Sequence, residues 1–362
     1  MDALKKVTQQ TLWQLAGKAI TSISTIVILA VVTRHYGVEG TGIFTLALTY
    51  LAFFYLAADF GLNAYVMPNL LLEKAEVEWR KLLGLRIFWS VVLIVLAIAM
   101  LPFLPFQNAL FIKSVFFGSL AIFGNSLFVS ANAIFQSKLK YNYSIIASSL
   151  NAIPMVLFIL ILVNLNASIP QLLIVHMMGW LLTGAVALYF AKKFVKTILP
   201  LFNFEYIWSV FKNAWPISLT LVLNVVYFRL DSFILTTIKS FADVGIYNLA
   251  YQVFQSALVL PTFIMNGYYP LMLQRISENK NDFLNDLKKV ILIMLGMSIL
   301  GVIFTLLLSP IIIQIISGGK GFEGSAQSLR ILSLSFPAYF VSSVLMWTLV
   351  SFKKYKKMLI IY

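Results

Sequence analysis

Ten runs of about 20 predominantly apolar residues recur along this chain, each long enough to cross a lipid bilayer as a helix. They fall at about 12–33, 42–63, 82–104, 112–135, 144–163, 171–190, 214–237, 244–272, 289–309 and 325–350. In a bilayer every backbone polar group has to be satisfied within the protein, which confines runs of this kind to α-helices. The expected fold is therefore all-α, a polytopic membrane protein. Composition agrees. Of 362 residues, 60% are hydrophobic and 11% charged, whereas a soluble domain is about a quarter charged.

The net charge of +14 would suit a nucleic-acid partner, but its distribution argues against one. The basic residues form short clusters between apolar runs, as loops facing anionic lipid do. Nineteen of the 27 Lys and Arg residues lie in one alternating set of segments, with Lys5, Arg80, Lys138, Lys196, Lys280 and Lys354 among them. Five (Arg34, Lys113, Lys239, Lys320 and Arg330) lie in the other set. The bias places the N-terminus in the cytoplasm. The apolar run after Lys5 and Lys6 contains Lys18 and lacks a small-x-small cleavage site, so it reads as a first membrane span and not a signal peptide.

The outer loops are expected to be short, the longest at about 310–324, which leaves no ectodomain for catalysis. On the cytoplasmic side, Glu73–Leu83 reads as a short surface helix. Leu201–Phe211, with Tyr206 and Trp208, reads as an interfacial helix leading into span seven. Pro154, Pro261, Pro270 and Pro337 are expected to kink helices. Asn125, Ser126, Asn132, Ser148 and Asn151 make spans four and five unusually polar, which only protein-facing surfaces tolerate at membrane depth.

Gly245-Ile-Tyr-Asn-Leu-Ala250 repeats Gly42-Ile-Phe-Thr-Leu-Ala47. The offset covers six spans, so spans one and seven enter in the same direction. Two pseudo-symmetric lobes are expected, residues 1–200 with spans one to six and residues 201–362 with spans seven to ten. Parallel repeats of this kind place a substrate path between them near mid-bilayer.

Polar residues at helical spacing mark candidate faces of that path. On span one these are Gln14, Lys18, Thr21 and Thr25; on span seven Thr220, Asn224, Tyr227 and Asp231; on span eight Asn248, Gln252, Gln255, Thr262 and Asn266. Such stripes also serve as hydrogen-bonding seams between helices. Arg229 and Asp231 stand inside span seven, where each charge costs roughly 2.5–3.5 kcal/mol unless it faces protein or a polar cavity. Two residues apart on a helix, they point in opposed directions. The candidate substrate-binding set is Lys18, Asn224, Arg229, Asp231, Asn248, Gln252 and Gln255. Asp59 is expected to cap or pair locally, and His176 to hold a hydrogen bond within span six.

At Arg229-Leu-Asp231-x-Phe-Ile-Leu235 and Val244-Gly-Ile-Tyr-Asn-Leu-Ala250 the chain resembles the polysaccharide-transport branch of the multidrug/oligosaccharidyl-lipid/polysaccharide exporter superfamily. Thr33-Arg-His-Tyr-Gly37, Asp59-Phe-Gly-Leu62 and Ser317-Gly-Gly-Lys-Gly-Phe322 are similar to that branch's other landmarks. The resemblance implies an O-antigen or capsule flippase in the bacterial cytoplasmic (inner) membrane. Such a protein moves an undecaprenyl-diphosphate-linked oligosaccharide to the outer leaflet through two lobes of six helices around a cationic cavity. Its expected partners are membrane lipids, the lipid-linked oligosaccharide, and glycan polymerase and glycosyltransferase machinery. Only four spans follow residue 201, so the second lobe is expected to be incomplete by a helix pair.

Two other functions compete. A cation-coupled drug or metabolite antiporter of the same superfamily would carry a carboxylate deep in the first or seventh helix; span one has none, and Asp231 stands beside Arg229. A membrane glycan polymerase or ligase would need a large outer loop. No His/Cys/carboxylate cluster, glycine-rich phosphate loop or nucleophile–base pair stands out, and the chain has no cysteine. No catalytic residue, metal or cofactor is therefore expected, and no enzyme.

Overall fold

The computed structural model describes residues 2–71, 75–278, 280–319 and 321–352. Helix dominates, and no strand occurs among them. Six helical stretches are long and apolar enough to cross a membrane, or up to seven if a bent pair near residue 334 counts as one. The first of these, Trp13–Asp59, contains both span one and span two. It belongs to helix α1 (Asp2–Asp59), two helices joined at Gly37 with φ 66° and ψ −164°. Only glycine adopts that conformation without strain, and a Cβ there would meet nothing within 4 Å. Backbone geometry alone calls for the glycine.

The chain divides into two compact units, Met1–Val244 and Gly245–Tyr362. In the first, α1 is followed by α2 (Leu62–Val66), α3 (Ala75–Ala99), α4 (Ala109–Gly118), α5 (Ala121–Ser137), α6 (Tyr141–Asn164), α7 (Ile169–Ala191) and α8 (Phe204–Ile238). Span four is the pair α4 and α5. Glycine lets α5 and α7 cross closely: Gly124 lies against the backbone of Trp180 and Leu181, and Gly184 against the Gly124 carbonyl.

The surface helix expected over Glu73–Leu83 is not a separate element. α3 runs unbroken from Ala75 into the membrane span. Trp79, Leu82 and Leu83 are buried, and the Trp79 indole donates to the Ser130 carbonyl of α5 at 2.8 Å. The apolar face of this segment therefore packs on protein, where sequence alone had it packing on lipid. Leu201–Phe211 does lead into span seven: α8 is continuous from Phe204. Its first turns are amphipathic, with Ile207 and Val210 buried and Phe204 and Trp208 exposed.

The segment leading into α8 is strapped to α3. Thr197 N–H donates to the Glu76 carboxylate at 3.2 Å, Arg80 Nε to the Leu199 carbonyl at 2.8 Å, and Leu201 N–H to the Arg80 carbonyl at 2.9 Å. Gly84 leaves room for the Leu201 carbonyl, which a Cβ would strike.

The second unit takes up most of α9 (Phe241–Ala257), then α10 (Val259–Glu278), α11 (Lys280–Ser317), α12 (Glu323–Ser333) and α13 (Phe336–Ser351). α11 reaches Ser317, which shortens the outer loop expected at 310–324. Proline sets the breaks. The residue four before a proline loses its helical hydrogen bond and meets the ring. Four before Pro261 is Ala257, where α9 ends, and four before Pro337 is Ser333, where α12 ends. α12 and α13 meet at 44°. Inside α11, Pro310 frees the Leu306 carbonyl in the same way, and Arg330 Nε donates to it at 3.1 Å. α9 starts on a reciprocal cap: Asp243 Oδ2 accepts from Ser240 N at 3.0 Å, and Asp243 N donates to Ser240 Oγ at 3.2 Å. The Ser240 hydroxyl and N–H together hold the Asp243 carboxyl below its usual value.

The two copies of the repeat occupy corresponding places. Gly42 follows the break at Gly37, and Gly245 follows the cap at Ser240. Leu46 and Leu249, and Ala47 and Ala250, are all fully buried. The shared spacing thus marks a buried face in each copy.

Candidate functional site

Lys18 lies on the first half of α1. One neighbour along the helix, Gly17, faces α6, where a Cβ would meet Ile145 Cγ1 at 2.9 Å. That contact puts Gly17 on a packed side, about 40° from Thr21 and about 100° from Lys18 at 100° per residue. Gln14, Lys18 and Thr25 fall on the exposed side, with Thr21 half-buried. The threonines are satisfied locally, Thr21 Oγ1 donating to the Gly17 carbonyl at 3.1 Å and Thr25 Oγ1 to the Thr21 carbonyl at 2.8 Å. This is how hydroxyls are accommodated in apolar helices. Lys18 is left as the charged member of an open polar stripe.

Asp231 lies on α8, which packs on the second half of α1 through Phe233, at 5.4 Å from the Phe53 ring and 6.2 Å from the Tyr50 ring. Ser232 and Thr236 are buried on that packed face, while Leu230 and Ile234 are exposed. Asp231 stands between the two edges, half-buried, its Oδ1 accepting from Ser232 N at 2.7 Å. The side chains of Arg229, Asn224, Thr220, Tyr227 and Asn266 lie outside the described residues. On α9, Asn248 is 4% exposed and belongs to the packed face. Gln252 and Gln255 are half-buried, and the Gln252 carbonyl accepts from Ser256 Oγ at 2.8 Å.

The polarity of spans four and five is spent inside the protein. Asn125, Ser126 and Ser130 are buried, the Ser130 hydroxyl donates to the Ser126 carbonyl at 2.7 Å, and Ser144 donates to Asn132. His176 meets the Tyr55 hydroxyl at 2.8 Å, with Trp180 alongside. It holds the hydrogen bond expected of it, across helices.

Arg86, which sequence reasoning passed over, is buried in α3. Its Nη2 pairs with Asp59 Oδ1 at 2.8 Å, and its Nη1 donates to Asn63 Oδ1 at 2.9 Å. The signal was available: Arg86 and Asp59 are opposite charges at the neighbouring ends of consecutive spans. Among the described residues no group of three or more His, Asp or Glu side chains could hold a metal ion.

Helices long and apolar enough to cross a membrane make this a polytopic membrane protein. The polysaccharide biosynthesis protein family matches residues 7–276, and the chain belongs to that family, within the multidrug/oligosaccharidyl-lipid/polysaccharide exporter superfamily. The MatE family matches residues 216–362. No curated protein matches the chain. Among solved structures, the fold is similar to the lipid II flippase MurJ in an inward closed conformation. The TM-score is 0.75 at 14% identity, over 96% of this chain and 76% of that one. It is also similar to an inward-facing multidrug resistance transporter of the MATE family, with a TM-score of 0.66 at 11% identity over 94% and 88% of the two chains.

Proposed function

We propose that this protein is a flippase for a lipid-linked oligosaccharide, carrying an undecaprenyl-diphosphate-linked glycan from the cytoplasmic to the outer leaflet of a bacterial inner membrane. Its product would feed surface polysaccharide such as O-antigen or capsule, beside glycan polymerase and glycosyltransferase machinery. The observation that carries the reading is the open stripe of α1. Lys18 lies on the unpacked side of a spanning helix, where an exposed cation in hydrocarbon is costly but a cation beside an anionic headgroup is not. A diphosphate entering a low-dielectric interior needs fixed positive charge, and its sugars need hydrogen-bonding side chains along the way. Arg229, Asp231 and Asn224 on α8, and Gln252 and Gln255 on α9, are assigned to that path; Asn248, in the packed face of α9, is left out of it. The division into lobes at 200 and 201 belongs to the same proposal.

The family match supports transport over catalysis. A second reading, cation-coupled export of drugs or metabolites, draws on the MatE match over 216–362 and on Asp231. Purified protein in liposomes separates the two. The flippase reading expects a fluorescent lipid-diphosphate oligosaccharide to reach the opposite leaflet, with no proton- or sodium-driven uptake of cationic drugs. Drug uptake without lipid movement would overturn it.

A further inference from the structure

Lys113 is the sole charged residue between Arg86 and Lys138. It stands on α4, at the outer end of span four by the charge alternation, and its side chain is exposed. It has no ion pair or hydrogen bond among the described residues. Its place near the electropositive N-terminus of a helix gives it no support from the backbone dipole. It also runs against the bias that keeps cations off this face. Arg330, another cation of the outer set, is explained by the Leu306 carbonyl it caps; nothing in the protein explains Lys113 in that way.

Lys113 lines a groove of about 470 Å³ whose other walls are apolar, Ile98 from the end of α3, Leu101 and Pro102 from the turn after it, and Ile112, Phe116 and Phe117 from α4. The turn that carries part of its wall is held in place. The Gln107 amide donates to the Leu101, Pro102 and Leu104 carbonyls at 3.3, 3.3 and 3.1 Å, pinning the α3–α4 turn. Asn108 caps α4 through Phe111 N at 3.0 Å.

We propose that this groove is a binding site for an anionic phospholipid of the outer leaflet, with an acyl chain along the apolar walls and the phosphodiester on Lys113. Charge decides the occupant. One cation neutralises the single charge of a phosphodiester, whereas a lipid diphosphate would bring more charge than Lys113 can meet. The site is separate from the Lys18 stripe and does not depend on what the protein transports.

The test is native mass spectrometry of the intact protein released from mixed phosphatidylglycerol and phosphatidylcholine. Wild type is expected to retain phosphatidylglycerol preferentially. Lys113→Gln is expected to lose about fivefold of that retention, the effect of one cation near an anionic surface, while Lys113→Arg keeps it. Ile112→Trp, which fills the groove, is expected to lower retention of both lipids. Equal retention of the two lipids by wild type would overturn the proposal without any variant. So would unchanged phosphatidylglycerol in Lys113→Gln, or its displacement by an equal concentration of undecaprenyl diphosphate, which would assign the groove to the carrier lipid.

Discussion

Arg86 Nη2 lies 2.8 Å from Asp59 Oδ1, with the arginine side chain fully buried and the aspartate side chain 35% exposed. The asymmetry predicts unequal mutants. Removing one partner of a buried pair costs about 3–5 kcal/mol because the other charge is stranded. Asp59→Leu strands a guanidinium with no access to water, so its melting temperature in detergent should fall furthest. Arg86→Met leaves a carboxylate that water still reaches and should fall less. The double variant should recover part of the loss. Equal losses in the two single variants would show that the pair is not what sets the cost.

At the α5–α7 crossing, a Cβ on Gly124 would lie 2.5 Å from the Trp180 carbonyl oxygen and 2.6 Å from Leu181 N. Backbone cannot yield as a side chain can. Gly124→Ala should therefore destabilise the first unit by about 1–3 kcal/mol, the usual cost of overpacking. Gly296, where a Cβ meets nothing within 4 Å, is the control. Gly296→Ala should be neutral or mildly stabilising, since alanine is the better helix former. Thermal unfolding of the two variants beside wild type decides it.

The α9 cap gives a pH dependence. Asp243 titrates below its ordinary value because Ser240 bonds its charged form. The cap's contribution is complete above the ordinary carboxylate pKa of 3.8 and is lost as pH falls through the lower folded value. Protection of the amides at the start of α9, measured relative to their intrinsic exchange rates, should fall only in that acid window, and Asp243→Asn should remove the acid-dependent step. Loss of protection between pH 5 and 7 in wild type would contradict it.

Orientation is open to direct labelling, since the chain has no cysteine. Single cysteines near Glu76, Lys138, Lys196 and Lys280 should resist a membrane-impermeant reagent in intact cells. One at Phe106 should react. Labelling at 196 in intact cells would reverse the topology.

Much of the helical architecture was legible because bilayer physics is one-dimensional: a span is a length of apolar sequence. Contacts between helices are not written that way. Trp79 carries the same hydropathy whether it faces lipid or the Ser130 carbonyl, so a surface helix and the start of α3 read alike. The break in α9–α10 follows from Pro261, but whether a proline bends a helix or splits it depends on what takes the freed carbonyl. Arg330 does so for Pro310, from 20 residues away in sequence and from another helix. For the candidate site, the α1 stripe was legible as periodicity, and the side that packs was not. Burial settles it: Gly17 is packed, whereas Gln14, Lys18 and Thr25 are exposed. Asn248 shows the converse: its spacing fits a polar stripe, yet it lies in a packed face.

The central claim is that fixed cations on α1 and α8 receive a lipid diphosphate. An ion pair at 4 Å is worth around 4 kcal/mol at an effective dielectric of about 20, against about 0.5–1.5 kcal/mol for a neutral hydrogen bond. Loss of a cation should therefore slow flipping more than loss of either Asn224 or Gln252. The direct measurement is the rate at which purified protein in liposomes moves a fluorescent lipid-diphosphate oligosaccharide, compared at equal folded protein among wild type, Lys18→Gln, Arg229→Gln and Arg229→Lys. The account predicts flipping at least tenfold slower in both glutamine variants and partial rescue in Arg229→Lys. Wild-type rates in Lys18→Gln and Arg229→Gln would contradict it.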